Sequence, residues 1–195
     1  MKIYKIIFML LMTLTSISCG SGVDSIANTG VCDGYNSSST SAYILPFVAG
    51  NKHEVGQGNC SAVSHYSTQR YAYDFSMDIG TSIVAARSGT VSKVQESYED
   101  GSPCPNNNYI EVLHADGSIA SYVHLTKNGA LVSLGDVVSQ GQAIAQSGNT
   151  GCSTAPHLHF VVWKNSDYTD SLPVTFSNTV ENDRGLKAGK EYTAQ

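Results

Sequence analysis

Apolar and polar positions along this chain alternate in short runs, and turn residues interrupt them at close intervals. Residues 82–86 (SIVAA) lead into RSG, 90–94 (TVSKV) into a polar loop, 109–114 (YIEVLH) into ADG, and 118–125 (SIASYVHL) into KNG. Residues 135–148 (GDVVSQGQAIAQSG) add two more short runs, and 157–163 (HLHFVVW) add another. Period-two runs bounded by Gly, Asn and Asp predict antiparallel strands joined by hairpins, with Asp116-Gly117 as one hairpin turn. No segment after the first 18 residues keeps a helical period. The pattern therefore predicts a mostly β domain over residues 43–178, and about 130 residues suffice to bury one core. Residues 172–176 (LPVTF) supply a last apolar segment, and 179–195 read as a polar tail.

The first 18 residues follow different rules. Lys2 and Lys5 precede an uncharged apolar run from Ile6 to Leu14 that ends in small residues. That run is too short to span a bilayer and reads as an export signal. Residues 19–42 are rich in Gly, Ser, Thr and Asn, the composition of a flexible arm. The whole chain sets 11 basic against 16 acidic residues, a net charge of −5, and without Lys2 and Lys5 the count is 9 against 16, or −7. Nucleic acid is an unfavourable partner for such a surface.

Five cysteines in an exported chain leave one over after pairing. SISC at residues 16–19 resembles a bacterial lipoprotein box, which assigns Cys19 to lipid attachment and a place in the cell envelope or periplasm. Ser16 stands where that motif usually has an aliphatic residue, and plain secretion is the alternative. The remaining four lack C-x-x-C spacing and read as disulfides in an oxidising compartment. Three pairings are possible. Their positions favour Cys104 with Cys152, both in loops before strands, and Cys32 with Cys60, both in the N-terminal region.

Candidate chemistry concentrates in TAPHLHFVVW, residues 154–163. His157 and His159 are two apart in a predicted strand and so project to one side. Such a pair is either part of a solvated face or able to hold a metal and work beside it. Pro156 can open a strand without losing a ladder hydrogen bond, and SGNTGCS before it is loop-forming, so the pair stands where a loop meets a rigid strand. Tyr122 and His124 share one face by strand alternation, and His124 sits at a strand end. His114, beside the hairpin turn, reads as a surface histidine. Asp74 lies in the apolar stretch RYAYDFSM, where a carboxylate either caps a turn or needs a cation or hydrogen-bond partner. Several histidines and one carboxylate match the donors of a zinc site.

Taken in order, GTSIVAARSGTV, NYIEVLHADGSIASYVHL, GDVVSQGQAIAQSGNTG and PHLHF resemble the lysostaphin/LytM-type zinc metallopeptidases of the M23 family, over roughly residues 45–162. The resemblance implies a two-sheet antiparallel β domain with a groove. It also implies zinc-dependent hydrolysis of peptide bonds in bacterial peptidoglycan cross-links, so peptidoglycan peptides are the expected partner. Carried over by motif, His159 and Asp74 are zinc ligands, and His157 and His124 are the unliganded catalytic pair. No H-E-x-x-H occurs, so histidine replaces a glutamate base. One position departs from the family pattern: Arg70 stands four residues before Asp74, where a histidine ligand is usual, and arginine cannot ligate zinc. In SHYSTQRYAYDF, His65 matches a family variant with the histidine further upstream, and His53 ranks behind it. If neither reached Asp74, the chain would be an inactive relative that binds peptidoglycan or activates another wall hydrolase.

Overall fold

A computed structural model describes residues 32–195. The expectations for residues 1–31, the export signal and Cys19 among them, lie outside the described residues. Among the described residues eleven strands follow one another: β1 (Lys52–Gln57), β2 (Tyr73–Ser76), β3 (Ser82–Val84), β4 (Gly89–Gln95), β5 (Tyr109–Leu113), β6 (Ile119–Val123), β7 (Leu125–Ala130), β8 (Val137–Val138), β9 (Ala143–Ser147), β10 (His157–Trp163) and β11 (Glu191–Thr193). They form two antiparallel sheets, one of eight strands ordered β11-β1-β2-β10-β6-β5-β4-β8 and one of three ordered β3-β9-β7. Among the described residues helix is confined to two single 3-10 turns, and no helix is long and apolar enough to cross a membrane.

The alternation seen in sequence sorts the large sheet into two faces. Leu158, Phe160 and Val162 of β10 pack with Tyr122, Ile110, Tyr73 and Phe75 in the main core. The intervening positions of β10, from His157 to Trp163, face the other way. Phe176, from the predicted apolar segment, is fully buried against Tyr73, Phe75 and Phe160. Both disulfides have the pairing favoured by sequence, Cys32–Cys60 and Cys104–Cys152.

Three local readings differ from the structure. Residues 179–195 are more than a polar tail, because β11 pairs with the edge strand β1 and Leu186, Tyr192 and Ala194 are buried. Residues 32–42 are fastened at their described start by the Cys32–Cys60 bond and midway by Asp183, whose Oδ1 accepts from both Ser38 N and Ser38 Oγ at 2.6 Å. His114 is not on the surface. It is 2% exposed, donates from Nδ1 to the Ser88 carbonyl at 2.9 Å and meets the Tyr43 ring edge-on at 5.6 Å. β4 begins so close to the hairpin end that a Cβ at its first residue, Gly89, would lie 2.4 Å from the Leu113 carbonyl oxygen. Burial, the largest influence, pushes the His114 imidazole below its ordinary pKa.

Candidate active site

β10 runs between β2 and β6, and the ladder places His159 directly opposite Asp74 on one side and Val123 on the other. Opposed residues share a face, so the sheet alone brings His159 and Asp74 together. Their separation is 2.8 Å from Nδ1 to Oδ1. A groove runs along this face, lined by Asp74, His124, His157, His159, Glu111 and Trp163 among others.

His65 reaches Asp74 from the long connection between β1 and β2. A short 3-10 turn, Ser67–Gln69, and the Cys60 N–H donating to the Arg70 carbonyl at 2.6 Å fold this connection back on itself. The His65 ring is fully buried, with Nδ1 2.9 Å from the Gly58 carbonyl and Nε2 3.1 Å from Asp74 Oδ1. A carbonyl only accepts, so Nδ1 carries the proton. A ring with its single proton there turns a bare Nε2 toward a carboxylate oxygen. Two acceptors face each other at hydrogen-bond distance, an arrangement that a shared cation between them relieves. The candidate ligand atoms of His65, Asp74 and His159 all lie within 4.8 Å of one another, so this donor set fits a metal ion. The carbonyl-held second nitrogen of His65 is the support that metal-ligating imidazoles usually have.

The electrostatics agree with this geometry. Burial, the largest influence, works against ionised Asp74, yet the His159 and His65 imidazoles beside it outweigh that and hold the carboxyl well below the ordinary carboxylate range. Burial pushes His159 below the ordinary imidazole value, with Asp74 opposing. The other first-ligand candidates are elsewhere. His53 packs on Phe47 with Nδ1 3.1 Å from the Ser76 carbonyl, and Arg70 pairs with Asp170 at 3.3 Å on the surface.

His124 and His157 form a second pair beside the first cluster, with ring centroids 4.6 Å apart. His157 Nε2 is 3.7 Å from Asp74 Oδ1, outside hydrogen-bond reach. His157 Nδ1 lies 2.8 Å from the Ala155 carbonyl and 3.1 Å from Ser153 Oγ. His124 Nδ1 lies 2.7 Å from the Thr150 carbonyl. Both rings therefore carry their proton on Nδ1 and leave Nε2 as an acceptor. Burial lowers the His124 imidazole to about 4, with the nearby His157 and His159 adding to the effect. His124 does not continue the face of Tyr122. Tyr122 stays in the core, where its hydroxyl accepts from Ala86 N at 2.8 Å, while His124 has φ 66° and turns out of the strand. A left-handed residue breaks the two-residue period on which the expectation rested.

Residue-type reasoning left out the backbone acceptors of Gly58, Thr150 and Ala155, which have no side-chain signature. Residues 148–153 (GNTGCS) carried the available signal. A Cβ at Gly148 would lie 2.3 Å from Thr126 N, and one at Gly151 would lie 1.7 Å from Asn107 Oδ1. Both glycines are spaced so that a loop can approach this closely.

The profile of peptidase family M23 matches residues 68–171. That span contains Asp74, His124, His157 and His159, while His65 lies three positions before it. The chain is 40% identical over 114 residues to lysostaphin of Staphylococcus simulans, covering 58% of this chain and 20% of that protein. It is 39% identical over 87 residues to the peptidoglycan DD-endopeptidase ShyA of Vibrio cholerae, covering 45% of this chain and 18% of that one. The alignments span about a fifth of these relatives' length. The solved structure of the antimicrobial peptidase lysostaphin from Staphylococcus simulans superposes with a TM-score of 0.50 at 32% identity, covering 68% of this chain and 51% of that chain.

Proposed function

The chain belongs to peptidase family M23, and on that premise we propose that it is a zinc-dependent endopeptidase acting on peptide bonds of bacterial peptidoglycan cross-links. One observation carries the reading: His65, Asp74 and His159 present ligand atoms to a common point, immediately beside the His124–His157 pair in an open groove. His65, Asp74 and His159 would hold the ion. When bound, zinc supplies a Lewis acid that polarises the scissile carbonyl and acidifies water toward a pKa of about 7.

The remaining work belongs to the chain. His157 takes the proton from the attacking water on its free Nε2, because two oxygens at Nδ1, Ala155 O and Ser153 Oγ, stabilise the imidazolium that forms. His124, more deeply buried and with a single acceptor at Nδ1, stays neutral and accepts a hydrogen bond from the reactants at Nε2. Close packing of the two rings favours one positive charge at a time, so the proton on His157 is available for the leaving amine.

The proposal extends to an exported, envelope-located protein carrying lipid on Cys19, supported by the signal-like N-terminal sequence and the disulfide-bonded fold. Mass spectrometry of the mature N-terminus tests the lipid, and an unmodified end at another residue refutes it. Activity is tested by incubating zinc-loaded protein with peptidoglycan, with and without a chelator. Release of cross-link fragments that stops on chelation and returns with zinc is expected. Binding to peptidoglycan without cleavage would favour the inactive reading instead.

A further inference from the structure

Asn108 and Thr150 are fully buried polar residues whose side chains take no part in the proposed chemistry. They close on the residue that follows His124. The Leu125 carbonyl accepts from Asn108 Nδ2 at 3.2 Å and from Thr150 Oγ1 at 3.0 Å, and Leu125 N–H donates to the Asn108 carbonyl at 3.2 Å. Thr150 Oγ1 in turn accepts from Asn108 N at 2.9 Å. Asn108 uses its remaining side-chain capacity on Tyr98, accepting from Tyr98 N at 3.0 Å and donating to Tyr98 O at 2.8 Å. Every polar atom of the two side chains has a partner.

This clamp surrounds a strained point. His124 is a non-glycine residue at φ 66°, a conformation that persists only where the surroundings impose it. Fixing Leu125 on both its N–H and its carbonyl imposes it from the C-terminal side. The same Thr150 supplies the carbonyl that accepts His124 Nδ1–H at 2.7 Å. Thr150 thus contacts both the backbone bend, together with Asn108, and the ring nitrogen that sets the tautomer.

We propose that Thr150, braced by Asn108, is a positioning residue for His124. Its hydroxyl holds the left-handed bend that turns the imidazole into the groove, and its carbonyl keeps the proton on Nδ1 so that Nε2 faces the reactants unprotonated. The inference rests on the peptidase reading for the catalytic part of its consequences, while its structural part stands apart from it.

Thr150→Val keeps the shape and removes the hydroxyl, and Thr150→Ser keeps the hydroxyl. On a soluble cross-linked peptide, Thr150→Val is expected to lower kcat about 10- to 100-fold with KM and bound zinc unchanged. Thr150→Ser is expected to stay within about threefold of the parent. Nitrogen-15 spectra of the histidine rings, recorded where the rings are neutral, should show His124 protonated at Nδ1 in the parent and in Thr150→Ser. In Thr150→Val a mixture with the Nε2–H form is expected. A parent protein with His124 protonated at Nε2 overturns the proposal whether or not any variant folds or any peptide is cleaved. So does a Thr150→Val variant with parental kcat, or a Thr150→Ser variant that loses as much as Thr150→Val. A parent that shows the Nδ1–H form but cleaves nothing counts against the peptidase reading and leaves this positioning role standing.

Discussion

Two loops frame β10, and they serve the site in opposite ways. The connection between β1 and β2 carries an imidazole to Asp74, since His65 is part of it. The loop before β10, residues 148–156, places no ring of its own there and instead offers Thr150 O, Ala155 O and Ser153 Oγ to rings that stand on strand ends. Each is tied by one disulfide, Cys32–Cys60 for the first and Cys104–Cys152 for the second. Damage to the first should therefore appear as lost metal, and damage to the second as lost turnover with metal retained.

The sharpest break of this comparison uses the rings themselves. Asp74→Ala, His159→Ala and His65→Ala should lose both bound zinc and cleavage. His157→Ala and His124→Ala should keep zinc and lose about 10²- to 10⁴-fold in kcat. Metal analysis beside kinetics decides it, and equal zinc loss in all five would erase the distinction.

The disulfides give the next effect in size. Removing either by paired Cys→Ser changes should destabilise the protein by about 2–4 kcal/mol in denaturant titrations. Beyond that shared cost, the Cys32/Cys60 pair should weaken zinc affinity about 10- to 100-fold. The Cys104/Cys152 pair should leave zinc affinity within about twofold and lower kcat. A zinc defect in the second pair would show that the two loops are not separable.

Acidity sharpens the comparison from outside the loops. Burial holds His53, His114, His124 and His159 below their ordinary imidazole pKa in the folded protein. The unfolded chain binds protons that the folded one refuses, so stability is full above about pH 6.5 and declines as pH falls below it. Each such group can contribute up to about 1.4 kcal/mol per pH unit within its window. In metal-free protein, denaturation midpoints at pH 7 and pH 5 should differ, and His114→Gln should narrow the gap. The smallest effect belongs to Arg70→Ala. It removes an exposed pair with Asp170 and the guanidinium lying 5.1 Å over the Tyr71 ring, so stability should change by about 0–1 kcal/mol with zinc content and kcat unchanged.

Much of the site was legible because a strand has a fixed period. HLH on one face of β10 and an aspartate inside RYAYDF are readable without coordinates, and the ladder that opposes them follows from two apolar strands packing as neighbours. His114 escaped because burial there comes from residues 86–89 crossing a hairpin end, a contact remote in sequence. His124 escaped the parity rule because one left-handed residue is invisible in a pattern of apolar and polar positions. β11 was missed because it is three residues long and only Tyr192 in it is buried. The acceptors at Gly58, Thr150 and Ala155 are main-chain atoms, which every sequence contains.

The opposition of His159 and Asp74 across the β10–β2 ladder has a consequence in the language of chelation. Two donors of the proposed centre belong to a rigid bidentate platform whose geometry is fixed when the sheet folds, so an arriving ion does not have to order them. The third donor hangs on a loop, and its contribution is an effective concentration set by how tightly that loop is tethered. Affinity for the ion can therefore be tuned by changing the tether between Cys32 and Cys60 without touching a single ligand.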